Sequence, residues 1–374
     1  MLGREGVRSL VLERGPHVAS SWRARYDGFR LNTSSWFSYL PGQRFARQAG
    51  RWPSREALVA YYESYAERHG VTLRTDTPVE HVERTASGWE LTTSDGRLQA
   101  RFVVVATGKY RTPVIPQWPG GDGFTGQLVH SADYRNAHPY RGQDVLVVGP
   151  GNSGFEIAVQ LHEGGAQRVW LSIRTPPHVI HRDIGPFPSD VFAVLGRHLP
   201  PGVVDWASER IRRRAIGDLS VYELQPPPDG LYERLRRTGM IPTIDGRFID
   251  ALKRQEVQVV AAVERFRGGQ VVLADGSAIA PDAVIAATGY HRDLEPLVGH
   301  LGVLTGDGHP LVHGATTHPQ APGLYFIGFS EPLSGNLREI RFDARKIARA
   351  IRRAIGPRTS PRSDPSAITV RWPR

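Results

Sequence analysis

The sequence predicts an α/β fold of doubly wound parallel sheets, built as two Rossmann-like dinucleotide-binding domains with one inserted in the other. Three observations carry that expectation. First, Asp144–Val148 is a nearly all-apolar run, which suits a strand buried on both faces. It runs into Gly149, Gly151 and Gly154, which spell G-x-G-x-x-G, and residues 155–162 follow with apolar positions at helical spacing. A glycine pair at 164–165 ends that helix, and residues 168–173 read as a second strand. Second, a meander, a buried strand and the tripeptide Ala-Thr-Gly occur in that order twice, at residues 77–108 and 257–289. Third, the glycine fingerprint precedes only the later copy.

The glycines have separate physical tasks. Gly149 permits the tight turn, Gly151 lets the backbone approach a pyrophosphate, and Gly154 lets helix and strand pack closely. The helix N-terminus then offers free N–H groups to the phosphates. A site for NADH ends its second strand in an acid that holds the ribose 2′-hydroxyl. Here that strand ends in Ser172, Ile173 and Arg174, and an arginine there suits a 2′-phosphate, so the expected ligand is NADPH.

Taken in order, residues 8–13 (RSLVLE) read as a buried strand ending in Glu13, where a dinucleotide fold places a ribose-binding carboxylate. Residues 2–6 resemble the tail of a preceding helix, but the strand and glycine fingerprint that would come before it are not in the sequence. The natural start is therefore expected about 25–30 residues upstream, and the chain as written is expected to bind FAD poorly or not at all. Residues 23–42 form an aromatic and polar loop. Residues 54–69 are an amphipathic helix with Ser54 as its N-cap. Residues 77–100 alternate apolar and polar side chains around Ser-Gly and Asp-Gly turns, giving a small antiparallel meander. A buried strand at 102–106 leads to a Pro/Gly-rich link at 109–123.

Beyond the central unit, 176–188 is a proline-rich loop, and 190–238 is mostly helical with a break at 225–228. The second meander spans 257–281, with strands at 283–287 and 323–328 and a helix at 335–354. From 357 the Pro/Ser/Arg composition predicts a disordered tail. One nucleotide unit inside another implies an outer flavin domain, 1–140 plus 290–356, and an inserted nicotinamide domain, 141–289.

Composition narrows the chemistry. With no cysteine among 374 residues, disulfides, dithiol redox chemistry and thiolate metal sites are excluded, and no metal ligands are assigned. The net charge of +10 comes from scattered arginines without a basic, aromatic-interleaved module, so no nucleic-acid partner is expected. No apolar run approaches membrane length, and the charged N-terminal stretch is unlike a signal peptide. The cytoplasm is therefore the default expectation, with no membrane partner expected; oligomeric state is not readable.

Residues 124–134, FTGQLVHSADY, match the F-x-G-x-x-x-H-x-x-x-Y signature of the flavin-containing monooxygenases, just before the glycine fingerprint where that family has it. The stretches RLNTSSWFSYLPG, VVVATGKYRTPVIPQWPG, VIAATGY and GLYFIG also fall in that family's order, including its plant YUCCA branch. The resemblance implies an enzyme in which NADPH reduces FAD and the flavin takes up O2 as a C4a-hydroperoxide. One oxygen atom then passes to a small organic substrate. It further implies roles for individual residues. Glu13 matches the FAD ribose acid, and Trp22 the family's GGxW turn, with Ser20 and Ser21 in place of the glycines. Asn32 matches an asparagine beside flavin and nicotinamide, the expected catalytic group. Asn152 and Ser153 match pyrophosphate positions, while Ala106, Thr107, Gly108, Thr288 and Gly289 match the two Ala-Thr-Gly crossings. Gly328, Asn336 and Leu337 match the flavin-ring end of the FAD site, and Phe124, Gly126, His130 and Tyr134 the signature, with His130 read as a structural link rather than a base. The loop at 26–39 and the segment 176–188 are expected to line substrate access. An NADPH oxidase or reductase on the same scaffold, and a flavin-free NADP-binding module, remain open alternatives.

Overall fold

A computed structural model of the chain describes residues 1–330 and 332–356, so the tail expected from 357 lies outside the described residues. The chain forms two compact units. The inner unit comprises Arg25–Ser34 and Pro113–Tyr290, and the outer unit comprises Met1–Ala24, Ser35–Thr112 and the chain from His291 onward.

The inner unit is built on a five-stranded sheet in the order Gln258–Val260, Arg168–Ser172, Asp144–Val148, Ala283–Ala286, Gln127–His130. Every neighbouring pair is parallel. The central strand has no exposed residue, as its unbroken apolar run requires. Helix Asn152–Glu163 packs on one face, where Phe155 stacks on Phe248 at 3.7 Å between ring centres. Phe248 lies on helix Gly246–Lys253, which Asp245 caps by accepting from Arg247 N at 2.9 Å. The antiparallel strands Val263–Arg267, Gln270–Leu273 and Ala278–Ile279 cover Leu146, Trp170 and Val284 on the other face.

Two boundaries differ from those read in the sequence. Gln258–Val260 belongs to the parallel sheet rather than to the meander, because the chain reaches it from a helix and crosses over to lie beside Arg168–Ser172. Residues 113–140, expected in the outer domain, cluster with the inner unit, because Gln127–His130 hydrogen-bonds along Ala283–Ala286. The 176–188 segment is more ordered than a plain loop. Val179–Ile180 pairs with Thr243–Ile244, and Asp183–Ile184 turns back on Phe187–Pro188.

In the outer unit, strands Val79–Thr85, Gly88–Thr93 and Gly96–Ala100 form the expected meander, with Trp89 and Leu98 in its core. Helix Arg55–Arg68 begins where Ser54 Oγ accepts from Ala57 N at 3.3 Å. Its parallel strands lie in two separate pairs, Val11–Leu12 with Leu73–Arg74 and Leu324–Phe326 with Val103–Val105. The strand expected at residues 8–13 is thus only two residues long, and Val11 is 43% exposed rather than buried. With a partner on one side only, that segment cannot enclose its backbone as a central strand does. Among the described residues no helix is long and apolar enough to cross a membrane.

Candidate functional site

The glycine turn shows why two of its three glycine positions must lack a side chain. Gly149 has φ +121°, and a Cβ there would stand 2.4 Å from the Ala287 carbonyl oxygen. A Cβ on Gly154 would stand 2.0 Å from the Gly149 carbonyl oxygen. Around Gly151, by contrast, nothing lies within 4 Å of where a Cβ would be. Two glycines therefore let the turn, the helix and the Ala-Thr-Gly strand close on one another, while the middle one faces open space. The first helical bond runs from Phe155 N to Gly151 O at 3.1 Å, so the N–H groups of Asn152, Ser153 and Gly154 precede the helical ladder. Asn152 Oδ1 accepts from Ile244 N at 2.8 Å, which commits that side chain to the strand beside it. Arg174 is exposed just past the end of strand Arg168–Ser172.

Behind this turn is a buried polar network that sequence reasoning missed. Glu156, on the fingerprint helix, is 1% exposed. Its Oε1 accepts from Arg182 Nη2 at 2.7 Å and its Oε2 from Tyr26 Oη at 2.5 Å. The same Arg182 Nη2 donates to Asn32 Oδ1 at 3.0 Å. A guanidinium only donates, so it holds the amide oxygen of Asn32 and leaves Nδ2 as the donor end. Asp190 Oδ2 adds a second tie to this loop by accepting from Ser34 N at 2.7 Å. Burial pushes the Glu156 carboxyl up to about 7 against the opposing pull of Arg182, and burial also pushes the Tyr26 hydroxyl well above its ordinary value. One signal was available in the sequence: a glutamate inside the apolar run F-E-I-A-V needs a buried partner.

The signature residues fasten strand Gln127–His130 to the sheet. His130 Nε2 donates to the Gly289 carbonyl at 3.0 Å, and its Nδ1 accepts from Ala132 N at 3.0 Å. Both nitrogens are thereby committed to backbone, and burial holds the ring below its ordinary pKa. Phe124 packs edge-on against Phe266 at 5.0 Å, and a Cβ on Gly126 would stand 2.5 Å from the Asp282 carbonyl oxygen. Tyr134 is buried 6.0 Å from the Tyr26 ring. Thr288 Oγ1 donates to the Val114 carbonyl.

In the outer unit, Glu13 Oε1 accepts from Gly15 N at 2.8 Å, and Trp22 stacks on Tyr62 at 6.5 Å. Ala106 and Thr107 are exposed, and Gly108 has φ +75°. Asn336 opens helix Asn336–Ile355 and donates through Nδ2 to the Gly328 carbonyl at 3.3 Å, with Leu337 buried beside it. Among the described residues, Asn336 Oδ1 and Arg341 Nε and Nη1 are buried without a hydrogen-bond partner, and Arg341 lies over the Tyr39 ring at 4.1 Å. A cavity of about 710 Å³ in the inner unit is lined by other residues, among them His178, Asp205, Arg212 and Asp229.

Comparison with known proteins bears on this geometry. The sequence model of the pyridine nucleotide-disulphide oxidoreductase family matches residues 2–183. Indole-3-pyruvate monooxygenase YUCCA1 of Oryza sativa subsp. japonica is 32% identical over 88% of this chain and 82% of its own length. Probable indole-3-pyruvate monooxygenase YUCCA4 of Arabidopsis thaliana is 32% identical over 93% of this chain and 84% of its own. Among solved structures, the flavin-containing monooxygenase from Stenotrophomonas maltophilia has the same fold, with a TM-score of 0.70, 22% identity, and coverage of 94% of this chain and 93% of that one. A chain without cysteine has no dithiol to offer, so the disulphide in the first name describes relatives and not this site. The glycine turn, the signature strand and these identities converge: the chain belongs to the flavin-containing monooxygenase family.

Proposed function

We propose that the glycine turn of the inner unit holds the NADPH pyrophosphate and that Asn32 is the hydrogen-bond donor beside the reacting centre. The chain is an NADPH- and O2-dependent flavin monooxygenase with FAD and NADPH as cofactors. When bound, FAD would supply the redox chemistry between NADPH and O2, with one oxygen atom going to the product and one to water.

The residues present fit NADPH and, in the outer unit, the ribose and flavin-ring ends of FAD. At Gly151 there is room for a pyrophosphate in front of three N–H groups outside the helical ladder. Arg174 supplies a cation at the strand end for the 2′-phosphate. In the outer unit, the unpartnered Asn336 Oδ1 and Arg341 nitrogens await polar groups of a flavin at the start of helix Asn336–Ile355, and Glu13 is its candidate ribose acid. The observation that carries the assignment of Asn32 is its bond to Arg182. That bond turns Nδ2 into a fixed donor that stabilises a reactive oxygen without supplying an acidic proton. Because the two plant relatives act on indole-3-pyruvate, a 2-oxo acid of that kind is the substrate class we propose.

Turnover with indole-3-pyruvate under labelled O2 tests this reading. The expected result is one labelled oxygen in the product for each NADPH consumed. NADPH consumption that yields only hydrogen peroxide with this and other 2-oxo acids overturns it. Asn32→Ala is expected to keep NADPH oxidation and lose product, separating reduction from oxygen transfer. Arg174→Ala should raise KM for NADPH by about tenfold and leave NADH use unchanged.

A further inference from the structure

One side-chain cluster of the outer unit includes none of the residues matched to the FAD or NADPH sites. His81 and Glu83 stand two residues apart on strand Val79–Thr85, and therefore on one face of it. His300 lies in the one-turn segment Gly299–Leu301, and its ring stacks on His81 at 4.1 Å. Glu83 Oε2 is 3.2 Å from His81 Nε2 and 3.3 Å from His300 Nε2. One ligand atom from each of the three residues lies within 4.8 Å of the others.

The hydrogen positions make this arrangement informative. His81 Nδ1 lies 3.3 Å from the Pro296 carbonyl oxygen. A carbonyl only accepts, so Nδ1 carries the hydrogen, and in the single-proton tautomer Nε2 turns its lone pair toward the carboxylate. In that tautomer a cation between the two acceptors joins them. The separations also have the right size, since ligand atoms about 2.0 Å from a tetrahedral ion are about 3.3 Å apart. A histidine ligand whose second nitrogen is held by a backbone carbonyl is the usual supporting arrangement at metal centres.

We propose that His81, Glu83 and His300 bind a divalent transition-metal ion of the zinc class, with a fourth position open to water. Two imidazoles and one carboxylate favour such an ion over magnesium, which prefers six oxygen ligands. Bound there, the ion would tie the meander strand to the segment carrying Pro296 and His300, both in the outer unit.

The test is a zinc titration of the full chain against a chromophoric chelator, run beside His81→Ala/His300→Ala. Both side chains are partly exposed, at 41% and 34%, so the double variant should fold, which its metal-free Tm checks. The chain has 14 histidines, so the difference between the two proteins is what counts. The wild type should take up about one more equivalent of zinc than the variant, and excess magnesium should not displace it. Zinc should raise Tm in the wild type only, and Glu83→Gln should weaken binding roughly 10- to 100-fold. Equal zinc uptake and equal Tm response in the two proteins would overturn the proposal and leave a stacked imidazole pair hydrogen-bonded to Glu83.

Discussion

The two units are built from the same vocabulary and differ at their centres. In the inner unit, Asp144–Val148 has a parallel partner on each side, and the sheet runs through five strands. Among the described residues of the outer unit, Val11–Leu12 and Leu324–Phe326 each pair on one side, and the sheet lies in two pieces. Burial follows pairing: Val145, Leu146 and Val147 are fully buried, whereas Val11 is 43% exposed. A doubly wound sheet thus depends on its fingerprint strand twice, as the carrier of the phosphate turn and as the strand that joins its two sides.

That contrast can be broken by substitution. The largest effect is expected at the buried ion pair of the inner unit. Arg182→Ala leaves the Glu156 carboxylate without its cation and should cost about 3–5 kcal/mol in denaturant unfolding at pH 8. The exposed Arg97–Glu90 pair of the outer meander is the matched control, and Arg97→Ala should cost about 1 kcal/mol or less. Next comes the glycine pair. Gly154→Ala drives a Cβ to 2.0 Å from a backbone oxygen and should cost roughly 3 kcal/mol together with NADPH binding. Gly108→Ala meets open space, and its strained φ alone should cost about 1 kcal/mol. Equal losses at the two glycines would remove the distinction between the units.

A third effect is read in pH. The folded-state pKa of Glu156 is raised to about 7, so the folded protein holds a proton that the unfolded chain has released. Stability should therefore fall as pH rises from the ordinary carboxylate range through about 7, and Glu156→Gln should flatten that slope in Tm measured against pH. A comparably small effect belongs to the outer unit, where Ser54→Ala removes a helix cap and should cost about 1 kcal/mol with no change in NADPH binding.

Local rules made much of this legible in the sequence. The glycine turn, the Ser54 cap and the turns of both meanders each follow from a few adjacent residues, and the structure shows them where the spacing places them. Pairing between distant segments was not legible. Gln258–Val260 looks like any strand of a meander until a neighbour 89 residues earlier, at Ser172, binds Ala261. Glu156 looks like an ordinary polar position on a helix, although Arg182 and Tyr26 enclose it from separations of 26 and 130 residues. The Asn32 resemblance named the residue, but only the contact with Arg182 shows which end of its amide is presented.

The bond from Val114 N to the Gly289 carbonyl, 3.1 Å long, makes neighbours of the first and last residues of the long inner segment. A stretch of gene whose product begins and ends at one point can be moved between hosts as a cassette. Arg25–Ser34 is the part that would be left behind. A transplanted cassette would lack Tyr26 and Asn32 and would bring Glu156 into its new host short of a hydroxyl donor. The recipient would have to provide the missing loop from its own chain, so compatibility between donor and host would be decided by ten residues far upstream of the graft.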